Sequence, residues 1–531
     1  MFGLPPDTSG LCGRPCPRQL IVVNLVNPAF TARRLRKAAV YPPPEHTGCG
    51  VRMLHTGNVD IGSNGGESDA DRLILIVEQA RLSPLHMFAI LVCTCGFAVD
   101  LLEVSLGGAL SALFAAPPYS WTPAELSLLV SSAYFGAIIG APLAGWLADR
   151  IGPRRVLTIL NLWIGMASLL CAFIPSSSHL AVARMIAGVG LGGYPPVMIA
   201  YLNDLAPAEK RGQVIFTTCA IAYLGPPLAV FGLRWLTPIA PWGVEGWRWP
   251  FAVAGIVAVL AGFATTWAPE APHWLAATGR IDQLRGVTRH FLKGNQGLLT
   301  GESGGGRHGP RVRGRYRPPV KARSPISRVL VLTLITASIP IATISFPLLT
   351  GPILIGRHFS LSDTLFYVGL STFGPIIGTI AGGLFVDRLD RRTMMILCAL
   401  AMLACVLLFF ASGSPLSTAT AVVGFSLFLC LYTPSMTMYG AGIFEPTIRA
   451  RATSTAWALN RVAAAGAPAI LVMLVRPDAM WIICTVFVAS ILANITVIAF
   501  LAPPEPSPDS RLETYDDGGT SPGLTTGARA I

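Results

Sequence analysis

At 531 residues the chain could hold three or four soluble domains, but 52% of its residues are hydrophobic and only 12% charged, about half the roughly 25% usual for soluble globular proteins. That deficit excludes a soluble enzyme and a disordered scaffold. A net charge of +12, from 39 Lys and Arg against 27 Asp and Glu, would suit a nucleic-acid binder. The basic residues nevertheless fall mostly between apolar runs, a pattern that in a membrane protein sets topology.

Residues 1–83 are polar and rich in Pro and Gly, with a basic cluster at Arg33, Arg34, Arg36 and Lys37. They read as a mostly disordered tail, apart from a short amphipathic stretch near Leu73–Leu82. The patch Leu20–Val26 is too short for a signal peptide. Apolar runs, each near or above the ~20 residues that cross a bilayer, follow at 85–115, 123–147, 156–174, 180–203, 213–237 and 249–268. After a polar stretch they resume at 327–356, 364–386, 394–412, 418–443, 452–475 and 479–502. The predicted organisation is an all-α membrane protein of twelve transmembrane helices in two six-helix repeats. It divides into a tail (1–83), an N-terminal bundle (84–268), an inter-bundle loop (269–325), a C-terminal bundle (326–502) and a second tail (503–531).

Lys and Arg in the short loops set the orientation. One set of loops holds Arg150, Arg154, Arg155, Lys210, Arg211, Arg388, Arg391, Arg392, Arg449 and Arg451; the other holds Arg234, Arg248, Arg357 and Arg476. The long loop belongs to the first set and adds eleven basic residues against two acidic ones between 276 and 325. Both termini and the long loop are therefore expected on the cytoplasmic side of the cell (inner) membrane. The halves also repeat: Gly145, Asp149, Arg150, Tyr201 and Arg211 recur as Gly383, Asp387, Arg388, Tyr439 and Arg449, every pair 238 residues apart. Parallel repeats of this kind are built around a shared central site.

GWLADRIGPRR, from Gly145 to Arg155, resembles the signature loop of the major facilitator superfamily, and GLFVDRLDRR, from Gly383 to Arg392, resembles its second copy. The chemistry is legible on its own terms. Gly145 lets helices approach closely, and Asp149 ends a helix beside arginines or a helix N-terminus. The resemblance implies a gating latch made by Gly145, Asp149, Arg150, Arg154, Gly383, Asp387, Arg388, Arg392, Glu445 and Arg449, which opens and closes as two bundles rock. Asp390 stands where the pattern has Gly. RMIAGVGLGGYP (Arg184 to Pro195), GWRWPF (Gly246 to Phe251) and APEAPHWL (Ala268 to Leu275) are similar to the sugar-porter branch and its organic-acid relatives, with His273 in place of a usual Arg. The seventh run lacks the Gln and Asn that a sugar site would want. FAVDLLEVSLGG instead resembles the paired acids of aromatic-acid and niacin-type proton symporters.

Asp100 falls mid-run, where an ionised carboxylate costs at least about 2.5–3.5 kcal/mol. Glu103 lies one turn on, on the same face. Two such acids suit proton pick-up and release; the alternative is a structural hydrogen bond. Arg184 reads either as their partner or as a side chain snorkelling to water. Trp457, Asn460 and Arg461 share a helix face and can offer stacking, a hydrogen bond and a cation to a carboxylate, or else pack between helices. Tyr134, Tyr194, Tyr223, Phe346, Tyr432 and Tyr439 can line a cavity or simply pack.

Eight cysteines lie in apolar runs and three in the tail, with no metal-ligand spacing. GVGLGG is inside an apolar helix with no Walker lysine. No cofactor or metal is expected, and no nucleic-acid partner. The basic stretch Arg307–Arg323 reads as a linker near anionic lipid. The resulting expectation is a monomeric secondary transporter moving a small organic anion with protons by alternating access. The alternatives are a sugar or neutral-metabolite symporter, drug efflux, or a non-transporting sensor. A chain begun at Met53 is expected to insert and transport normally.

Overall fold

Proline and glycine decide where the helices start, break and stop. The computed structural model describes residues 66–80, 82–174, 177–207, 210–293, 325–385, 390–411, 413–444 and 446–503. The helices of the first half are α1 (Gly66–Gln79), α2 (Pro84–Ala115), α3 (Pro123–Ile151), α4 (Pro153–Phe173), α5 (Ser177–Leu205), α6 (Arg211–Ala222), α7 (Gly225–Ile239), α8 (Arg248–Thr265), α9 (Pro272–Ala277) and α10 (Ile281–Lys293). Those of the second half are α11 (Pro325–Ser338), α12 (Pro340–Thr343), α13 (Ser345–Gly356), α14 (Leu361–Ser371), α15 (Gly374–Phe385), α16 (Arg391–Ala411), α17 (Pro415–Gly442), α18 (Pro446–Val472) and α19 (Met480–Thr496). Several open on proline, whose missing N–H is unneeded in a first turn. α3 adds a capping box between Thr122 and Glu125.

Three apolar runs are broken rather than continuous. α6 gives way to α7 ahead of Pro226 and Pro227, α11 to α12 and α13 around Pro340, and α14 to α15 ahead of Pro375. Proline cannot donate to the helix ladder and collides with the carbonyl four residues back. Ser371 and Thr372 hydroxyls donate to the carbonyls of Val368 and Gly369 beside one such break, the kind of local repair that lets a broken helix sit in lipid. Among the described residues, counted across the breaks, eleven helices are long and apolar enough to cross a membrane, and α18 carries a shorter apolar stretch, Leu459–Val472. Together they make the twelve spans of two six-helix repeats.

The glycine face of α5 packs on α3. A Cβ at Gly140 or Gly188 would overlap the carbonyl oxygen of Val189 or Ala133 on the facing helix, so only small residues permit this approach. Gly145, expected to serve the same purpose, instead has nothing within 4 Å of where a Cβ would lie. The helix before Pro84 runs from Gly66 to Gln79, earlier than the amphipathic stretch suggested. The 269–325 segment, read as loop, begins with α9 and α10.

The 238-residue repeat has a structural meaning. Tyr201 donates to the Pro269 carbonyl at 2.6 Å and Tyr439 to the Pro503 carbonyl at 2.8 Å. Arg154 donates to the carbonyls of Thr266 and Ala268, and Arg392 to those of Ile498 and Ala499. In each half a tyrosine and an arginine therefore satisfy carbonyls at or just beyond the end of the last span, where a cation also meets the negative end of the helix dipole.

Candidate functional site

α2 carries both acids and sends them to different places. Asp100, midway along the helix, is 4% exposed and lines a cavity of about 80 Å³. Its Oδ1 is buried without a hydrogen-bond partner. The walls are Gly107 on α2, Tyr134 on α3, Arg184 and Pro195 on α5, Leu348 on α13 and Arg461 on α18, among apolar neighbours. Both halves thus contribute. Arg184 and Arg461 are the cations that share this wall with Asp100.

Glu103 does not line the cavity. It is fully buried, accepts from the Ser168 hydroxyl of α4 at 2.5 Å, and pairs with Arg184 at 3.5 Å. Arg184 also donates to the Glu103 main-chain carbonyl at 3.1 Å and is 2% exposed. The snorkelling reading of Arg184 is therefore corrected: its guanidinium is held inside the bundle by Glu103, with one side left in the cavity wall.

The aromatic and amide expectations are also redistributed. Tyr194 is fully buried and its hydroxyl donates to the Cys93 carbonyl at 3.2 Å. Tyr439 is bound to Pro503 as above. Neither lines the cavity, because each hydroxyl is taken up in packing one half. Asn460 donates to the Thr336 carbonyl at 2.7 Å, away from the cavity. Of Trp457, Arg449 and Gly383 the backbone alone is described, and Asp387, Arg388 and Glu445 lie outside the described residues. Among the described side chains, Tyr134 is the aromatic that reaches the cavity. Ser168 carried no signal in the sequence, since a lone serine in an apolar run fits any helix.

Around the first signature loop, Arg150 stacks over Trp146 at 4.2 Å and Arg154 pairs with Glu270 at 3.6 Å. Among the described residues no cation pairs with the Asp149 carboxylate, while its main-chain carbonyl accepts from the Trp274 indole at 3.0 Å. Among the described residues, the ion pairs at this end join residues before 294. At the opposite end side chains bridge the halves: Ser111 donates to the Leu348 carbonyl at 3.3 Å, Ser127 to that of Ala469 at 2.8 Å, and Arg234 to Ser362 at 3.1 Å. Among the described residues, side chains therefore join the halves at the opposite end, and no ion pair joins them at the end carrying Asp149.

A family model described as Major Facilitator Superfamily matches residues 92–371 and 330–524. The inner membrane metabolite transport protein YgcS of Escherichia coli is 25% identical over 389 residues, 73% of this chain and 84% of that protein. The niacin transporter NiaP of Acinetobacter baylyi is 24% identical over 336 residues, 61% and 72% of the two chains. In fold, the chain is similar to the xylose transporter XylE from E. coli in a partially occluded inward-open conformation. The TM-score is 0.61, at 19% identity over 80% of this chain and 99% of that one.

Proposed function

The chain belongs to the Major Facilitator Superfamily, as an integral multi-pass membrane transporter of metabolites, and on that premise we propose that it couples protons to the uptake of a small organic anion. The observation that carries this reading is the cavity's charge. Arg184 and Arg461 face it with Asp100, and Glu103 behind the wall balances Arg184. When Asp100 is ionised, Arg461 has a carboxylate to pair with. When Asp100 takes up a proton, Arg461 is left as a cation without that carboxylate in a half-buried site, which a substrate carboxylate can neutralise with a charge-assisted contact. Proton and monoanion then enter and leave together, and the loaded cavity carries the same charge as the empty one. The apolar walls and Tyr134 suit an aromatic or other compact carboxylate, and among the described residues no amide side chain lines the cavity to receive a polyol.

In this reading both termini and the signature loops are cytoplasmic, the protein works as a monomer in the cell (inner) membrane, and the signature-loop charges form the gate. Uptake of labelled nicotinate, benzoate and xylose into proteoliposomes under an imposed pH gradient tests it. Arg461→Lys keeps the charge and loses the planar fork, so apparent KM for the anion should rise roughly ten- to hundredfold, the equivalent of about 1.5–3 kcal/mol, with protein abundance little changed. Uptake of the sugar alone, or unaltered anion affinity in Arg461→Lys, would overturn the assignment.

A further inference from the structure

The end carrying Asp149 also holds a charge cluster that transport through the cavity does not use. α1 lies against α9 and α10, with Leu73 packed on Leu275 and Leu284. Asp69 pairs with Arg285 at 2.9 Å, and Glu78 with Arg211 at the start of α6 at 2.8 Å. His273, on α9, sits between two acids from two other helices. Its Nε2 is 3.5 Å from the Glu78 carboxylate on α1, and its Nδ1 is 3.8 Å from the Asp204 carboxylate in the last turn of α5. At 3.8 Å the contact is an ion pair at most, and Nδ1 is buried without a hydrogen-bond partner.

A neutral imidazole has one N–H and can donate to one of these acids; the imidazolium has one for each. Histidine is also the side chain whose charge changes within pH 5–8. Among the described residues the other charges around it are engaged: Arg211 pairs with Glu78 and acts electrostatically on Asp204, Arg285 of α10 is held by Asp69 and Asp282, and Glu270 is paired with Arg154.

We propose that His273 is a proton-operated clasp, whose protonation draws Glu78 and Asp204 onto α9 and fastens α1 and the helices after α8 to the first half of the bundle. Because Glu78 precedes α2 and Asp204 ends α5, the clasp grips the ends of the two helices that carry Asp100 and Arg184. Acid on this side then stiffens the first half in the conformation seen here. For a protein that brings protons in, this would slow turnover as protons accumulate. That last consequence rests on the transport reading, whereas the clasp itself does not.

Hydrogen exchange of the purified full-length protein in lipid nanodiscs, corrected for intrinsic rates, tests the clasp without substrate. Between about pH 7.5 and pH 5.5, which brackets histidine titration, protection of residues 66–79 should rise roughly fivefold, the scale of one ion pair. His273→Gln should stay at the high-pH level throughout, and His273→Arg, permanently charged, should show the acid level at both values. Unchanged protection in α16 reports that each variant is folded. A wild-type α1 indifferent to pH, or a response that survives in His273→Gln, overturns the proposal. Failed uptake with an intact exchange response would instead count against the transport reading alone.

Discussion

Asp100 and Glu103 are three residues apart, so they stand about 60° apart around α2. That rotation puts one in the cavity wall and buries the other against Ser168 and Arg184. Spacing brought both acids to one side of a helix, but it could not say which neighbour each would meet. Asp100→Asn should abolish uphill accumulation in proteoliposomes yet leave counterflow exchange, because the site persists and only the exchangeable proton is lost. Glu103→Gln should act differently. Removing one partner of a buried ion pair strands the other, at a cost of about 3–5 kcal/mol, so thermal stability and abundance should fall more than the proton requirement of whatever protein survives. Wild-type accumulation in Asp100→Asn would remove that residue from coupling.

Between the repeats, the start of α4 and the start of α16 reach one end by two routes. Gly152 caps α4 with φ +100° and has no side chain to offer; a Cβ there would lie 2.9 Å from the Glu270 carboxylate. Glu270 instead caps the helix from outside, accepting the Arg154 N–H at 3.0 Å. In the second copy Asp390 replaces the glycine and caps its own helix, accepting the Thr393 N–H at 3.2 Å. The exchange of Gly for Asp moves the cap from a distant residue to a local one, which the motif alone did not disclose. Burial holds the Glu270 carboxyl above its usual value, against the N–H groups of Arg154 and Ala271 and the Arg154 guanidinium. A raised folded-state value means a contribution that is complete in acid and lost as pH rises through it. Glu270→Gln should therefore flatten the stability curve on the acid side of neutrality, whereas Glu270→Ala should lower Tm at every pH. Thermal unfolding across that range is the measurement, and a Gln variant with the wild-type slope would contradict it.

Across the whole molecule, the bridges at the opposite end and an Asp149 that makes no ion pair among the described residues fit one side of the alternating access proposed above. Gly108 of α2 approaches α13 so closely that a Cβ would lie 3.3 Å from Leu348 Cα. Gly108→Val should wedge that end apart, and a cysteine placed at Val104 in the cavity wall should be labelled faster from that side. Asp149→Asn should do the reverse. Among the described residues the Asp149 carboxylate makes no ion pair, so if its charge is used in the alternative conformation, as the proposed gate requires, removing it should leave this one favoured. Unchanged labelling in both variants would show that neither contact biases the equilibrium.

The sequence by itself determined the membrane class, the twelve spans, the two-fold repeat and the presence of acids at membrane depth. Those features follow from composition, from hydropathy over ~20-residue windows, and from a fixed 238-residue offset, all properties of the chain read in one dimension. Only the tertiary structure decided that Arg461 shares a cavity with Asp100, that Glu103 belongs to Arg184, that Glu270 caps α4, and that His273 lies between Glu78 and Asp204. Each of those contacts joins segments far apart in the chain. Which side chains meet depends on helix rotation and on the close approaches that glycine permits, and neither is written in local periodicity.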